Sequence, residues 1–465
     1  MRTAPSRQER DRLRHGSHSL LPRYTSYPTM DRFVEAFTGD DQALALRQRR
    51  AGVTAGAGPL ALYVHVPFCE SLRCFSHGNK TVSRPHQQGM AYLQYLGREV
   101  DLQTAELGAG KAVSRLCIGG AMPTFLRDEE LGQLLALLGR GFSLDGCAEL
   151  SIEVDPRTVD AARLLSLRAL GFNQIDFGVQ EFGHGVRTAV NRVHSTEHVF
   201  NVMQAAREAR FSSVGVDLIV GSPGQSLQSM GQTMALAVAL RPDRIALYSY
   251  AHEPSRAVSQ RRLGGLQRPS GLENEAMLTR SVKCLLDAGY VHLGMDDFAL
   301  PHHELVAAKR QGRLQRDFQG YHGGPDGDLI AMGVSAAGRM GATYSQNART
   351  LAEYCDGLDQ GRLPVARGLA LTRDDLVRRA VIMALMCQGH VSFEGMALAY
   401  LLDFSSYFAS ELAALKPLAE KGWVTVDRNG LQVTTRGLFE LQSVAAVFDR
   451  YLQTDRNRQQ PAQLI

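Results

Sequence analysis

The chain has 465 residues, 44% hydrophobic and 21% charged, an ordinary globular composition with room for about two or three domains. Its 51 basic against 47 acidic side chains leave a net charge of +4 spread along the sequence, which excludes a nucleic-acid partner held by bulk charge. Seven cysteines, mostly single within apolar runs, read as reduced thiols of a cytoplasmic protein rather than a disulfide framework, and no apolar run reaches the length of a membrane span.

Residues 1–22 carry Arg2, Arg7, Arg10, Arg12 and Arg14 without periodicity and read as a flexible arm. Glu9 and Asp11 argue against a mitochondrial presequence. Arg23-Tyr-Thr-Ser-Tyr-Pro-Thr29 follows, an extended segment fixed by Pro28, with two aromatics available for packing or for a ligand.

From Leu60 a repeated unit appears. Apolar, β-rich runs occupy Leu60–Val66, Ser114–Ile118, Glu149–Val154, Gln174–Val179, Val214–Val220 and Arg244–Tyr250. Stretches of helical period separate them: Gln88–Leu107, Asp128–Leu138, Val159–Leu170, Thr196–Arg210 and Leu227–Ala239. Strand–helix units in this order predict an α/β fold with a parallel sheet and right-handed crossovers. The natural closure is a partial (β/α)6 barrel over residues 56–360, after an N-terminal arm of residues 1–55.

Ligand residues of such barrels sit at the carboxyl ends of the strands. The first strand leads into Cys69, Cys74 and His77, soft ligands spaced C-x4-C-x2-H, which fits no common zinc pattern. They either hold a metal, or Cys74 is a small buried residue and His77 a solvated one. The second strand ends in Gly119-Gly-Ala-Met-Pro-Thr124. Glu153, Gln180 and Asp217 close strands three to five as polar groups at the barrel mouth, either ligands or satisfied caps. Arg192 is free to pair with a carboxylate or to stay solvated. Leu293–Phe298, Phe318–Tyr321 and Ala331–Ala337 read as Gly-rich loops that approach a ligand closely.

A last domain is expected over residues 361–465. Thr372-x-x-Asp375 opens a helix as a capping box, and Asn429-Gly430 marks a hairpin. Helices, hairpin and terminal helix suggest a winged-helix-like module. No basic recognition helix stands out, so the wing reads as packing rather than a DNA reader.

These motifs resemble the oxygen-independent coproporphyrinogen III oxidase (coproporphyrinogen dehydrogenase) family of radical S-adenosylmethionine (SAM) enzymes, over nearly the whole chain. Arg23–Thr29 matches the family's R-Y-T-S-Y-P-T in full. The family's loop reads Y-x-H-x-P-F-C-x3-C-x-F-C-x-C-N-K. Here Tyr63, His65, Pro67, Phe68, Cys69, Phe75, Asn79 and Lys80 stay in frame, while Arg73, Ser76 and Gly78 replace three cysteines. The resemblance implies a radical-SAM-type fold, SAM, a 4Fe–4S cluster and a tetrapyrrole substrate. It implies cofactor-binding positions at Tyr63, Phe75, Gly120, Ala121, Met122, Glu153, Gln180, Arg192, Asp217, Ala251 and Ala337, with Cys69 the one cluster ligand in register and Cys74 and His77 alternatives one place late.

The departures bear on chemistry. The cluster of this class is held by thiolates. Arginine has no lone pair to offer and serine is a hard donor poorly matched to the site. Ala121 and Met122 replace a glycine and a threonine of the family's G-G-G-T-P-T, and Ala337 replaces an isoleucine. The expectation is a protein of haem (porphyrin) biosynthesis without the standard radical activity, a tetrapyrrole-, haem- or porphyrin-binding or regulatory pseudoenzyme, monomeric, with no nucleic-acid or membrane partner, acting alone or on a paralogous enzyme. The alternative is an active dehydrogenase converting coproporphyrinogen III to protoporphyrinogen IX through a cluster held by shifted ligands.

Overall fold

The computed structural model describes residues 21–53, 58–69, 81–82, 87–182, 195–251 and 267–459. Its centre is the expected parallel sheet. Strands β1 (Leu60–Val66), β2 (Lys111–Gly120), β3 (Glu149–Val154), β4 (Gln174–Gln180), β5 (Ser213–Val220) and β6 (Arg244–Ser249) pair in that order, each parallel to the next. Helices α1 (Gly39–Arg50), α2 (Gln87–Leu107), α3 (Asp128–Gly141), α4 (Ala161–Ala169), α5 (Thr196–Glu208) and α6 (Leu227–Leu240) come before and between or after these strands.

Side-chain alternation makes one sheet face apolar and the other polar. On β4, Ile175, Phe177 and Val179 are buried while Gln174, Asp176 and Gln180 are half-buried. The helices answer the apolar face at helical spacing. On α3 these are Leu131, Leu134 and Leu138, and on α5 Val199, Val202, Met203 and Ala206. Each such large apolar side chain contributes roughly 1.5–3 kcal/mol on burial. Starts are set chemically: the Ser195 side chain caps α5 by accepting from the His198 amide at 2.9 Å.

The sheet runs further than the repeat predicts. β9 (Leu329–Met332) pairs parallel with β1 on its other side, and β10 (Ala337–Met340), β11 (Thr343–Asn347) and β12 (Val365–Ala370) add antiparallel strands beyond it, with β7 (Val291–Gly294) and β8 (Asp297–Ala299) forming a hairpin on β6. The segment at 293–298 is therefore largely strand rather than loop, 331–337 is a turn at 333–336 between two strands, and 318–321 lies at the turn of the hairpin formed by Gln315–Asp317 and Gly320–His322. The reason is that edge strands here are short and rich in Gly and Ala, without the alternation that marks the central strands. Because β12 belongs to the sheet, the barrel extends past residue 361.

The remaining segment is helical with a small antiparallel sheet of His390–Ser392, Val424–Val426 and Gly430–Val433. Its first helix, Arg373–Gln388, starts at the Thr372/Asp375 capping box. The arm is not loose from residue 21 onward. Tyr24 and Tyr27 are 1% and 0% exposed and pack into the cluster that holds Val381, Met386, Phe408 and Phe448. Tyr24 Oη donates to Asp449 at 3.1 Å, and Tyr344 Oη donates to the Tyr27 carbonyl at 3.1 Å. Among the described residues, no helix is long and apolar enough to cross a membrane.

Candidate functional site

The polar face of the sheet is the candidate site. Tyr63 on β1, Glu153 on β3 and Asp217 on β5 all point to it, and their charges act on one another. Burial and then the Glu153 carboxylate push the Tyr63 hydroxyl well above its ordinary range. Burial, then Asp176, raises the Asp217 carboxyl, with Glu153 adding to it. Tyr63 also hydrogen-bonds to His65 Nδ1 at 3.0 Å.

At the carboxyl end of β2 the backbone turns inward. Gly120 has φ +117° and its amide donates to Glu153 Oε2 at 3.1 Å. A Cβ on Gly120 would meet the Val66 carbonyl oxygen at 2.6 Å, so only glycine suits the position. The Ala121 amide donates to the same carbonyl at 2.8 Å. Ala121 and Met122 are 1% and 4% exposed and belong to the main hydrophobic core. Their side chains therefore fill space beside Phe125 and Leu126 rather than present polar atoms.

Gln180 ends β4 in the left-handed region, φ +67°, and its buried Oε1 finds no partner among the described residues. Ala251 lies just past β6, half-buried, and Ala337 opens β10 at 8% exposure, opposite Gln346. Cys69, 1% exposed, ends the short strand Phe68–Cys69, which pairs parallel with Thr81–Val82. Phe75, Cys74, His77, Arg73, Ser76, Gly78 and Arg192 lie outside the described residues.

The structure thus gathers Tyr63, Gly120, Glu153 and Asp217 around one polar face. It also reveals partners that the sequence reading did not single out. Arg244 on β6 donates to Asp297 Oδ1 from Nε at 2.9 Å and from Nη2 at 2.6 Å, and lies 3.6 Å from Asp176. Arg115 on β2 reaches Asp317 at 2.5 Å. Cys117, in the same row, has its thiol pushed up to about 12, first by burial and then by Glu153. Their signal was available: Arg115, Cys117, Asp176 and Arg244 alternate with core residues at period two.

Helix α2 fixes the rim. Tyr92 Oη donates to the His65 carbonyl at 2.7 Å and accepts the Val334 amide at 3.0 Å. Glu99 accepts from Gly333 N at 2.8 Å, Asn347 Nδ2 at 2.7 Å and Tyr354 Oη at 2.6 Å. Burial pushes its carboxyl up to about 7 against the pull of these donors. At the opposite end of the barrel a cavity of about 260 Å³ is lined by Arg115, Glu149, Glu304, Asp317 and His322.

The described residues thus form a polar lumen inside an open parallel barrel, with a glycine turn against an acidic strand end. Residues 88–237 match the Radical SAM superfamily, and residues 371–439 match the HemN C-terminal domain. Over 447 residues, 96% of both chains, the sequence is 39% identical to the oxygen-independent coproporphyrinogen III oxidase of Pseudomonas aeruginosa and 40% identical to that of Escherichia coli. The solved E. coli coproporphyrinogen III oxidase, described as a radical SAM enzyme, superposes with a TM-score of 0.87 at 39% identity, covering 92% of this chain and 98% of that one. The chain belongs to the oxygen-independent coproporphyrinogen III oxidase family of radical SAM proteins.

Membership implies SAM and a 4Fe–4S cluster as the family's cofactors. At the family's ligand positions the donors of this chain differ from that set. In the family's register only Cys69 supplies sulfur, with Arg73 and Ser76 at the other two ligand positions. The superfamily match begins at residue 88, beyond this loop. Of the positions that the resemblance assigns to SAM, Gly120, Glu153, Gln180 and Asp217 keep the family's residue, and Ala121 and Met122 depart from it.

Proposed function

We propose that this chain is a coproporphyrinogen III oxidase-like protein of haem (porphyrin) biosynthesis that binds a tetrapyrrole, or regulates its traffic, without the standard radical chemistry. The carrying observation is the loop Cys69-Glu-Ser-Leu-Arg73-Cys-Phe-Ser76, which offers one thiolate in register beside a guanidinium. A cation at a ligand position opposes bound iron, and no other side chain of this site substitutes for a missing electron source. The polar lumen with its glycine turn is kept, so the binding half of the family's site persists while the redox half is altered. Haem, a porphyrin or a SAM-like nucleotide is the candidate ligand. The protein is read as a cytoplasmic monomer that acts alone or on a paralogous enzyme.

A second reading has its own support. The similarity over 96% of the chain, at 39% and 40% identity, to proteins named oxygen-independent coproporphyrinogen III oxidase favours, more directly than it favours the first reading, an active dehydrogenase that converts coproporphyrinogen III to protoporphyrinogen IX. Cys69, Cys74 and His77 would then be the cluster ligands. Identity over 447 residues averages many positions, whereas retention of a cluster turns on three, which is why the loop weighs more.

The two readings separate in one set of assays. Titration with haem and with coproporphyrin III under anaerobic conditions is expected to give a saturable spectral shift, while SAM stays uncleaved after incubation with iron, sulfide and reductant. Formation of 5′-deoxyadenosine moves the conclusion to the dehydrogenase. No saturable shift with either tetrapyrrole removes the binding proposal.

A further inference from the structure

Arg23 stands where the arm meets the barrel mouth. It is fixed there by its neighbours, because Tyr24 and Tyr27 are sunk in the C-terminal core. Its guanidinium lies 5.0 Å from the centre of the Tyr248 ring at the end of β6 and pairs with Asp296 in the turn between β7 and β8. Tyr248 faces the lumen: the Asp217 carboxylate is the main influence raising its hydroxyl, ahead of burial. Arg23 is therefore at the rim above the acidic interior.

Among the described residues, the other arginines set on this face are committed and covered. Arg115 is held by Asp317, with side chains 13% and 19% exposed. Arg244 is held by Asp297 and flanked by Asp176. Arg316, with its side chain 3% exposed, stacks 4.5 Å over Tyr321 beside Asp297. The Arg23 side chain is 42% exposed, and its partner Asp296 is 16% exposed. Burial also raises the Asp296 carboxyl, so that partner gives up its charge more readily than a solvated aspartate.

The interior itself carries Glu153, Asp176 and Asp217 on one face. With Arg244 on that face already taken by Asp297 and Asp176, a ligand bearing several carboxylates would find acidic groups there rather than an open cation and would lie with those carboxylates toward the rim. A guanidinium matches a carboxylate in two parallel hydrogen bonds, and its stacking on an aromatic ring leaves its edge available.

We propose that Arg23 is a carboxylate receptor at the mouth, which exchanges Asp296 for a propionate-type carboxylate of the bound tetrapyrrole and so selects anionic tetrapyrroles over esterified ones. This rests on the tetrapyrrole-binding reading above and adds to it the residue that recognises the ligand's charge.

The test uses the full chain, coproporphyrin III and its tetramethyl ester in one detergent buffer, with binding read by fluorescence. Wild type is expected to bind the acid more tightly than the ester. Arg23→Gln is expected to weaken the acid roughly tenfold and leave the ester unchanged, the size expected for one charge-assisted pair. Asp296→Asn is expected to tighten the acid by releasing Arg23. A thermal melt of Arg23→Gln close to wild type shows that the loss is not one of folding. Equal acid affinity in wild type and Arg23→Gln overturns the receptor while leaving tetrapyrrole binding intact. Absence of a saturable signal from wild type with either porphyrin overturns the binding reading, and the receptor with it.

Discussion

The Tyr92 hydroxyl donates to the His65 carbonyl across 2.7 Å, tying helix α2 to the strand end that leads to Cys69. The same oxygen accepts the Val334 amide at 3.0 Å, so one buried phenol holds both sides of the rim. Tyr92→Phe removes both of these hydrogen bonds in a buried place. The expected cost is about 2–4 kcal/mol in unfolding free energy, read from urea denaturation. A change below about 0.5 kcal/mol would mean that water replaces the hydroxyl at no loss.

Glu99 gives the fold a pH signature of definite sign. Its folded carboxyl lies near 7, above the ordinary 4.5. The folded state therefore keeps the proton longer, and the stability from it is full below pH 4.5 and lost as pH rises through 7. Glu99→Gln carries no such proton. The stability advantage of wild type over Glu99→Gln is expected to shrink by up to about 3 kcal/mol between roughly pH 5 and pH 8. Taking the difference between the two proteins cancels the opposite slope from His292, His303 and His322, whose protonation is driven down to about 4 by burial. A difference independent of pH would show that Glu99 titrates normally.

Asp297 neutralises the half-buried Arg244 and lies beside the buried Arg316. Asp297→Ala leaves these guanidinium groups without their main counter-charge and is expected to cost about 3–5 kcal/mol. Asp297→Asn keeps the acceptor oxygen for Arg244 and is expected to cost less. The order of the two variants in chemical denaturation checks the assignment.

Gly120→Ala probes the turn against Glu153. A side chain is strained at φ +117° and collides with the Val66 carbonyl oxygen. The expected loss is about 1–3 kcal/mol of stability, with the Gly120–Glu153 bond broken. A variant as stable as wild type would mean that the backbone relaxes here without cost.

The central strands were legible because two constraints agree in them. A strand such as Gln174–Gln180 must feed apolar side chains to helices on one face and polar ones to the lumen on the other, and that leaves an alternating pattern. The strands from Ala337 to Asn347 carry no such pattern, since they are short and close on neighbouring backbone, so nothing in the sequence marks them as strands. Glu153 and Asp217 were legible as polar strand residues and Tyr63 through the family resemblance, and the structure puts them on one face. Arg244 and Asp297 are 53 residues apart, and the Arg23–Asp296 pair is 273 apart. Nothing local in a sequence announces such pairs, since they depend on how β6 meets its hairpin.

The most direct measurement is iron and acid-labile sulfide per chain after anaerobic reconstitution, on wild type and on the variant Arg73→Cys/Ser76→Cys/Gly78→Cys. The expected result is a colourless wild type without stoichiometric iron, and a brown repaired variant that still cleaves SAM slowly until Ala121→Gly and Met122→Thr are added. A brown wild type holding about four irons and four sulfides, the content of a complete cluster, would contradict the account and establish shifted ligation by this loop.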